Sequence, residues 1–265
     1  MGLLRLVFAL IVVFEHGSST HGNLPILDSD GAVLGFFVLS GFYMAMILET
    51  RYRTDTRSFY FNRFIRLYPS YLLCLLVSVG FLWGFYLKSG HALGPVDAIL
   101  TTRLSPAASF FSFITQAAIL GQDWSRFFSV STHGHLALRV LSSGGKSLFS
   151  YNFVPQAWTL SIELVFYALS PWILRWKTWS LVGCFLAGLI LRILLLNWLG
   201  TPDIVGRLLP LELSVFCGGI VAWRIVSRTQ FSGGPKLNFL TVGSVGLLLF
   251  AGFAWDQKLS RRQLN

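Results

Sequence analysis

Five ionisable residues lie within otherwise apolar stretches of the chain: Arg5, His16, Glu163, Arg192 and Glu212. A charged side chain at membrane depth is costly unless it has a partner, so each is a functional candidate by default. Glu163 could orient or charge-balance a histidine, as carboxylates do in Ser/His/Asp sites. Alternatively, it forms an ion pair with Arg192 or Arg207. For Arg192 and Glu212, which lie in neighbouring apolar stretches, we favour a structural ion pair.

Arg5 and His16 have a spacing that suits one helix face. Eleven helical steps of about 100° bring them onto nearly the same side, roughly 16 Å apart along the axis. A helix with Arg5 at one end and His16 at the other would present a polar stripe across half a bilayer. In the alternative interpretation, Arg5 extends to the cytoplasmic interface and His16 lies in the outer one.

Arg63 and Arg66 lie three residues apart, one turn along the same helix face. Two guanidinium forks at that spacing suit a diphosphate or a 3'-phosphate, because each can donate two hydrogen bonds to phosphate oxygens. The alternative is a simple positively charged anchor on the cytoplasmic side of a membrane.

The composition indicates that membrane-spanning segments position these residues. The chain has 265 residues, of which 54% are hydrophobic and 12% charged, and its mean hydropathy is +0.64. This excludes a soluble globular domain and a disordered chain. Three cysteines without metal-ligand spacing exclude a disulfide scaffold and predict no metal site. Membrane topology explains the net charge of +10, so we expect no nucleic-acid partner.

Apolar stretches long enough to cross a bilayer recur along the chain. The six firm candidates are 31–48, 67–87, 157–174, 179–199, 205–223 and 237–255. Two weaker candidates are 3–16 and 106–121. The sequence therefore predicts an all-α, polytopic transmembrane helix bundle of about eight spans, forming a single domain over 1–265. We expect no soluble domain in 122–156, because that segment is rich in Ser and Gly and has no amphipathic period that would bury a core.

The arginines between positions 51 and 66 predict the orientation. Cytoplasmic loops carry an excess of Lys and Arg, whereas 17–29 contains neither. We therefore expect a cytoplasmic N-terminus. Whether 106–121 crosses the membrane stays open, and the sidedness of the later connections depends on it.

Four segments, taken in order, resemble the membrane-bound acyltransferase-3 family, whose members O-acylate sugars and other hydroxyl compounds. Arg5-x10-His16 matches the family's Arg-x10-His, and 31–42 (GAVLGFFVLSGF) contains its FFxLSGF. The segment 63–69 (RFIRLYP) matches RxxRIxP, and 158–167 (WTLSIELVFY) matches WxLxxExxFY. Each motif is weak alone, but four in the right order are a strong signal over residues 1–175.

The chain differs from the family pattern near its C-terminal end. Members usually have about ten spans and a late segment rich in Ser and Tyr that is followed by His. We therefore expect either a shortened member or a fragment, and whether it is active alone stays open.

The resemblance implies roles for the residues. His16 would be the general base for a hydroxyl acceptor, and Glu163 would orient it. Arg63 and Arg66 would bind the phosphates of a cytoplasmic acyl-CoA donor, with acetyl-CoA expected. Arg5 lies between donor and base and is one candidate for stabilising the oxyanion. An acyl-histidine intermediate is equally compatible. No bound cofactor or metal is expected.

The expected location is the cytoplasmic (inner) membrane, with multiple spans, and the expected partners are the bilayer, acyl-CoA and a carbohydrate or cell-envelope glycan. Two other functions are compatible with the same residues. One is a transporter or flippase for a sugar or lipid, without covalent chemistry. The other is an inactive membrane partner protein. The acceptor, the acyl chain length and the oligomeric state do not follow from the sequence.

Overall fold

A computed structural model describes residues 2–17, 29–131, 133–139, 145–199 and 202–229. Its helices are α1 (Gly2–Gly17), α2 (Ser29–Thr50), α3 (Thr56–Ser89), α4 (Pro95–Thr101), α5 (Pro106–Ala118), α6 (Trp158–Ile173), α7 (Thr178–Leu199), α8 (Pro202–Val205) and α9 (Leu209–Thr229). The chain divides into two compact units. Unit 1 comprises Met1–Thr56 and Phe166–Asn265, and unit 2 comprises Arg57–Val165.

Unit 1 is built around α2 and α9, whose side chains form most of its buried core. The two helices approach closely at glycines. A Cβ atom on Gly41 would collide with the carbonyl oxygen of Phe216, and one on Gly219 would collide with that of Val38. The rings of Phe37 and Phe216 meet there with centroids 4.8 Å apart and planes inclined by 33°. The two glycines therefore allow the backbones of α2 and α9 to approach closely, as small residues do in membrane helices.

Helix α7 packs against α9 in the same way. A Cβ on Gly188 would collide with the Ser214 side chain, and the sulfur atoms of Cys184 and Cys217 lie 3.7 Å apart. On α1, the ring of Phe8 meets that of Phe36 on α2 edge to face. These contacts fix the order α1, α2, α9, α7 within unit 1.

Unit 2 contains the longest helix, α3, with 34 residues. Helix α3 continues through Pro69, so Arg63 and Arg66 lie inside a helix rather than in a loop before it. At 1.5 Å per residue its length is about 51 Å. Its apolar second half is largely exposed, as at Leu73, Leu76 and Leu87.

The remainder of unit 2 contains a small antiparallel sheet of β1 (Phe128–Val130), β2 (Leu136–Leu138) and β3 (Lys146–Ser147), in the order β2-β1-β3. Short 3₁₀ turns cover Asp123–Arg126, Leu148–Tyr151 and Pro155–Ala157.

The expectation that 122–156 holds no soluble domain stays a prediction, but the segment contributes side chains to a buried cluster despite its lack of an amphipathic period. Val130, Leu148 and Tyr151 form a buried cluster with Ala98, and Ile99 and Phe111 pack against it. The segment does not need its own amphipathic period, because α4 and α5 supply part of the apolar surface.

Within the described residues, four helices are long and apolar enough to cross a membrane: Ser29–Thr50, Thr56–Ser89, Thr178–Leu199 and Leu209–Arg228. They agree with four of the predicted spans, although α9 begins and ends later than 205–223. Helices α1 and α6 have 16 residues each and α5 has 13, so each is shorter than the roughly 30 Å of hydrocarbon. The predicted span 237–255 lies outside the described residues, and the predicted total of about eight stays a prediction.

Candidate functional site

Arg5 binds to α2 through two contacts. Its Nη2 donates a hydrogen bond to the hydroxyl of Ser40 at 3.3 Å, and its guanidinium carbon lies 5.4 Å from the ring centroid of Tyr43. Ser40 is buried and belongs to the FFxLSGF segment. The structure thus joins two of the four sequence segments in one helix pair. Ser40 was not a predicted site residue, because a serine within a helix can donate its hydroxyl to the backbone carbonyl four residues earlier and needs no functional explanation.

His16 lies in the last turn of α1, and its side chain lies outside the described part of the structure. The adjacent residue, Glu15, shows where that turn lies. The carboxylate of Glu15 accepts a hydrogen bond from the backbone N–H of Ser29, at the start of α2. The backbone at His16 therefore adjoins the first turn of α2.

Arg192 and Glu212 form the predicted ion pair. Nη2 of Arg192 donates to Oε1 of Glu212 at 2.6 Å, and the side chains are 10% and 1% exposed. A buried pair of this kind needs close geometry because both charges have lost water. The prediction of a structural pair between α7 and α9 is confirmed.

Further charged residues lie at the end of unit 1 where Arg192 and Glu212 form their ion pair. Asp30, in the first turn of α2, and Arg207, just before α9, are close enough to act on the charge of Glu212. Because Glu15 bonds the residue preceding Asp30, the last turn of α1 lies at this end as well. Glu15 and Asp30 were not predicted site residues; an acidic side chain is ordinary in the first turn of a helix, where Asp30 lies.

Arg63 and Arg66 differ in exposure. Arg63 is 8% exposed, and its guanidinium carbon lies 5.6 Å from the ring centroid of Phe59, one turn earlier on α3. Arg66 is exposed. Arg66 is therefore the member of the pair that an anion reaches from solvent, while Arg63 is partly enclosed by the helix's own aromatic side chain.

Glu163 is half-buried in the second turn of α6, within unit 2. Ser161, two residues earlier, is fully buried, and its hydroxyl donates to Asp123 at 2.7 Å. The predicted pairing of Glu163 with His16 stays a prediction.

Among the described residues, no group of three or more His, Cys, Asp or Glu side chains is arranged to bind a metal ion. The His133-Gly-His135 pair is exposed.

Comparison with protein-family models matches the chain to a known family. The family described as an acyltransferase domain (Acyl_transf_3) matches residues 1–260. This match includes the four motif segments and extends through the last third of the chain, where no motif was recognised. Comparison with curated proteins and with solved structures finds no match. With its apolar helices, the protein is an integral membrane protein of the acyltransferase class. The chain belongs to the acyltransferase-3 family.

Proposed function

We propose that the protein is a membrane-bound O-acyltransferase that transfers an acyl group, specifically acetyl, from cytoplasmic acyl-CoA to a hydroxyl of a carbohydrate or cell-envelope glycan. The observation that carries this proposal is the contact of Arg5 with Ser40 and Tyr43. It fixes a guanidinium on α1, the helix whose last turn contains His16. Acyl transfer to a hydroxyl requires a base for the acceptor proton, and a cation on the same helix attracts an anionic acyl donor.

In the proposed reaction, a ring nitrogen of His16 takes the proton of the acceptor hydroxyl. The oxygen attacks the thioester carbonyl carbon, and a C–O bond forms while negative charge develops on the carbonyl oxygen. Collapse of this intermediate breaks the C–S bond, and the proton on His16 passes to the CoA sulfur. Glu163 is the candidate for orienting the imidazole, and Arg5, roughly 16 Å from His16 along α1, lies on the path between the donor and His16.

Donor binding is assigned to Arg63 and Arg66. CoA carries a diphosphate and a 3'-phosphate, and Arg can donate two hydrogen bonds to one phosphate group. The exposed Arg66 would contact the donor first, and the enclosed Arg63 would follow.

The proposed location is the cytoplasmic membrane, with the N-terminus and the α3 arginines on the cytoplasmic side. The excess of Lys and Arg between positions 51 and 66 supports this orientation, which also places the arginines on the side where acyl-CoA is present.

The test is release of free CoA from acetyl-CoA by the purified, detergent-solubilised chain in the presence of mixed cell-envelope glycans. We expect release by the unaltered protein and by His135→Ala, an exposed control histidine, and none by His16→Ala. Equal release by His16→Ala would contradict the role of His16. No release by the folded protein across a range of acyl donors would contradict the enzyme and favour a transporter.

A further inference from the structure

A chain of buried polar groups connects α3 to α6 inside unit 2. Tyr71 on α3 donates its hydroxyl to the carbonyl of Gln116 at 2.6 Å, and accepts a hydrogen bond from Nε2 of Gln122 at 2.8 Å. The next residue, Asp123, accepts from the Ser161 hydroxyl on α6 at 2.7 Å. These side chains are at most 3% exposed, apart from that of Gln116. Buried polar networks of this kind fix one arrangement of the elements that they join.

The backbone that carries Gln122 and Asp123 is locally strained. Ile119 has a φ of 66° and Gly121 a φ of 84°, and left-handed conformation is rare for a β-branched residue. The N–H of Gly121 donates to the Ser161 hydroxyl at 2.9 Å. Ile119 is itself buried, in an apolar cluster with Tyr71 and Ala157. Strain of this sort persists only where the surroundings over-determine it, and it clusters at functional sites.

Ser161 and Glu163 occupy opposite faces of α6, because two helical steps rotate the side chain by about 200°. The face with Ser161 is bound by Asp123 and Gly121. On one flank, Leu160 and Leu164 pack against the cluster that contains Tyr71. The first turns of α6 are therefore held on the face away from Glu163 and on one flank, which fixes the segment of helix that carries Glu163.

We propose that Asp123 is a positioning residue for the acyl-transfer site. Through the Ser161 hydroxyl, Asp123 fixes the start of α6 against α3, and so fixes Glu163 relative to the helix that carries Arg63 and Arg66. This inference rests on the proposed function for its catalytic consequence. Its structural part, the fixation of α6 by Asp123, is independent of the reaction.

The structural part is tested by hydrogen exchange of the α6 amides at 158–164 in the full-length protein. Asp123→Ala removes the acceptor, and we expect these amides to exchange about tenfold faster, the effect of losing a hydrogen bond to a charged group. Asp123→Asn keeps an oxygen that accepts from Ser161 and should retain protection. The control is Asp97→Ala, an exposed carboxylate paired with Lys146 in the same unit. Unchanged exchange in Asp123→Ala overturns the proposal.

The catalytic part is tested by kinetics per folded molecule. We expect kcat to fall about ten- to a hundredfold in Asp123→Ala, because small misplacement of a catalytic group has effects of this size. The KM for acetyl-CoA should stay within about twofold, because the arginines of α3 are intact, and Asp123→Asn should recover most of kcat. A purely structural role would lower the yield of folded protein and leave kcat unchanged, and that result overturns the proposal.

Ser161→Ala provides a second variant should Asp123→Ala fail to fold. With the loss of one oxygen atom it removes the same bond from the other side, together with the bond from the Gly121 N–H, and should reproduce both effects. Normal exchange or normal kcat in Ser161→Ala overturns the proposal in the same way. If the unaltered protein consumes no acyl donor, the proposed function fails, and the exchange measurement still decides whether Asp123 fixes α6.

Discussion

The buried pair between Arg192 and Glu212 gives the sharpest prediction about stability. The two side chains are 2.6 Å apart and 10% and 1% exposed, so neither charge is solvated by bulk water. Glu212→Gln keeps the shape of the side chain and removes its charge. Arg192 is then left as a buried cation without its counterion, which is the costly way to alter such a pair.

Breaking a buried ion pair from one side costs about 3–5 kcal/mol. For a chain of this size, each kcal/mol lowers the melting temperature by about 2–4 °C, so Glu212→Gln should melt at least about 6 °C lower. Arg192→Met should do the same, since it leaves Glu212 as a buried anion. The double variant, Arg192→Met with Glu212→Gln, removes both charges and should recover most of the loss, because neutral replacements of buried pairs are often tolerated.

The assay is thermal unfolding of the detergent-solubilised protein, followed by the fraction that remains monodisperse after heating. Arg175→Met is the control, because Arg175 is exposed just after α6. This variant should have the same melting temperature as the unaltered protein. Two results would refute the reasoning: single variants that melt within about 2 °C of the unaltered protein, or a double variant no more stable than the singles.

Two further predictions concern packing and pH. Gly41→Ala should destabilise unit 1, because its Cβ collides with Phe216, whereas Gly80→Ala, with nothing within 4 Å, should be neutral or slightly stabilising; equal melting temperatures for the two would contradict this packing. Burial raises the pKa of Tyr151 above its ordinary 10.0, so the stability that the neutral phenol supports is complete below about pH 10 and is lost as pH rises through the folded-state pKa. Tyr151→Phe should therefore lose less stability between about pH 9 and about pH 11, measured by denaturant unfolding, and an identical loss would show that the Tyr151 phenol does not contribute.

The helices of unit 1 followed closely from the sequence. Hydropathy predicted α2 and α7 to within a few residues, since both are apolar over their whole length. The ion pair of Arg192 and Glu212 was predictable because charges in neighbouring apolar stretches have few partners other than each other.

The contacts between segments that are distant in the sequence were harder to predict. The bond from Arg5 to Ser40 joins residues 35 positions apart, and no local pattern identifies its acceptor among several helical serines. The role of Asp123 depends on a reversal at Ile119 and Gly121, and a left-handed isoleucine contradicts local preference. The buried cluster to which 122–156 contributes was missed because α4 and α5 complete it. Tertiary packing, rather than periodicity, determined each of these features.

The length of α3 has a consequence for how the protein meets its lipids. The apolar part, 67–87, extends for about 31 Å, the thickness of a bilayer's hydrocarbon layer, so in the proposed topology the preceding turns lie among the headgroups. Arg66 is exposed on those turns. Anionic headgroups occupy the same layer and attract the same guanidinium that we assign to the donor's phosphates. Lipid surface charge thus becomes a competitor of acyl-CoA, and the apparent donor affinity should fall as the fraction of anionic lipid in a vesicle rises.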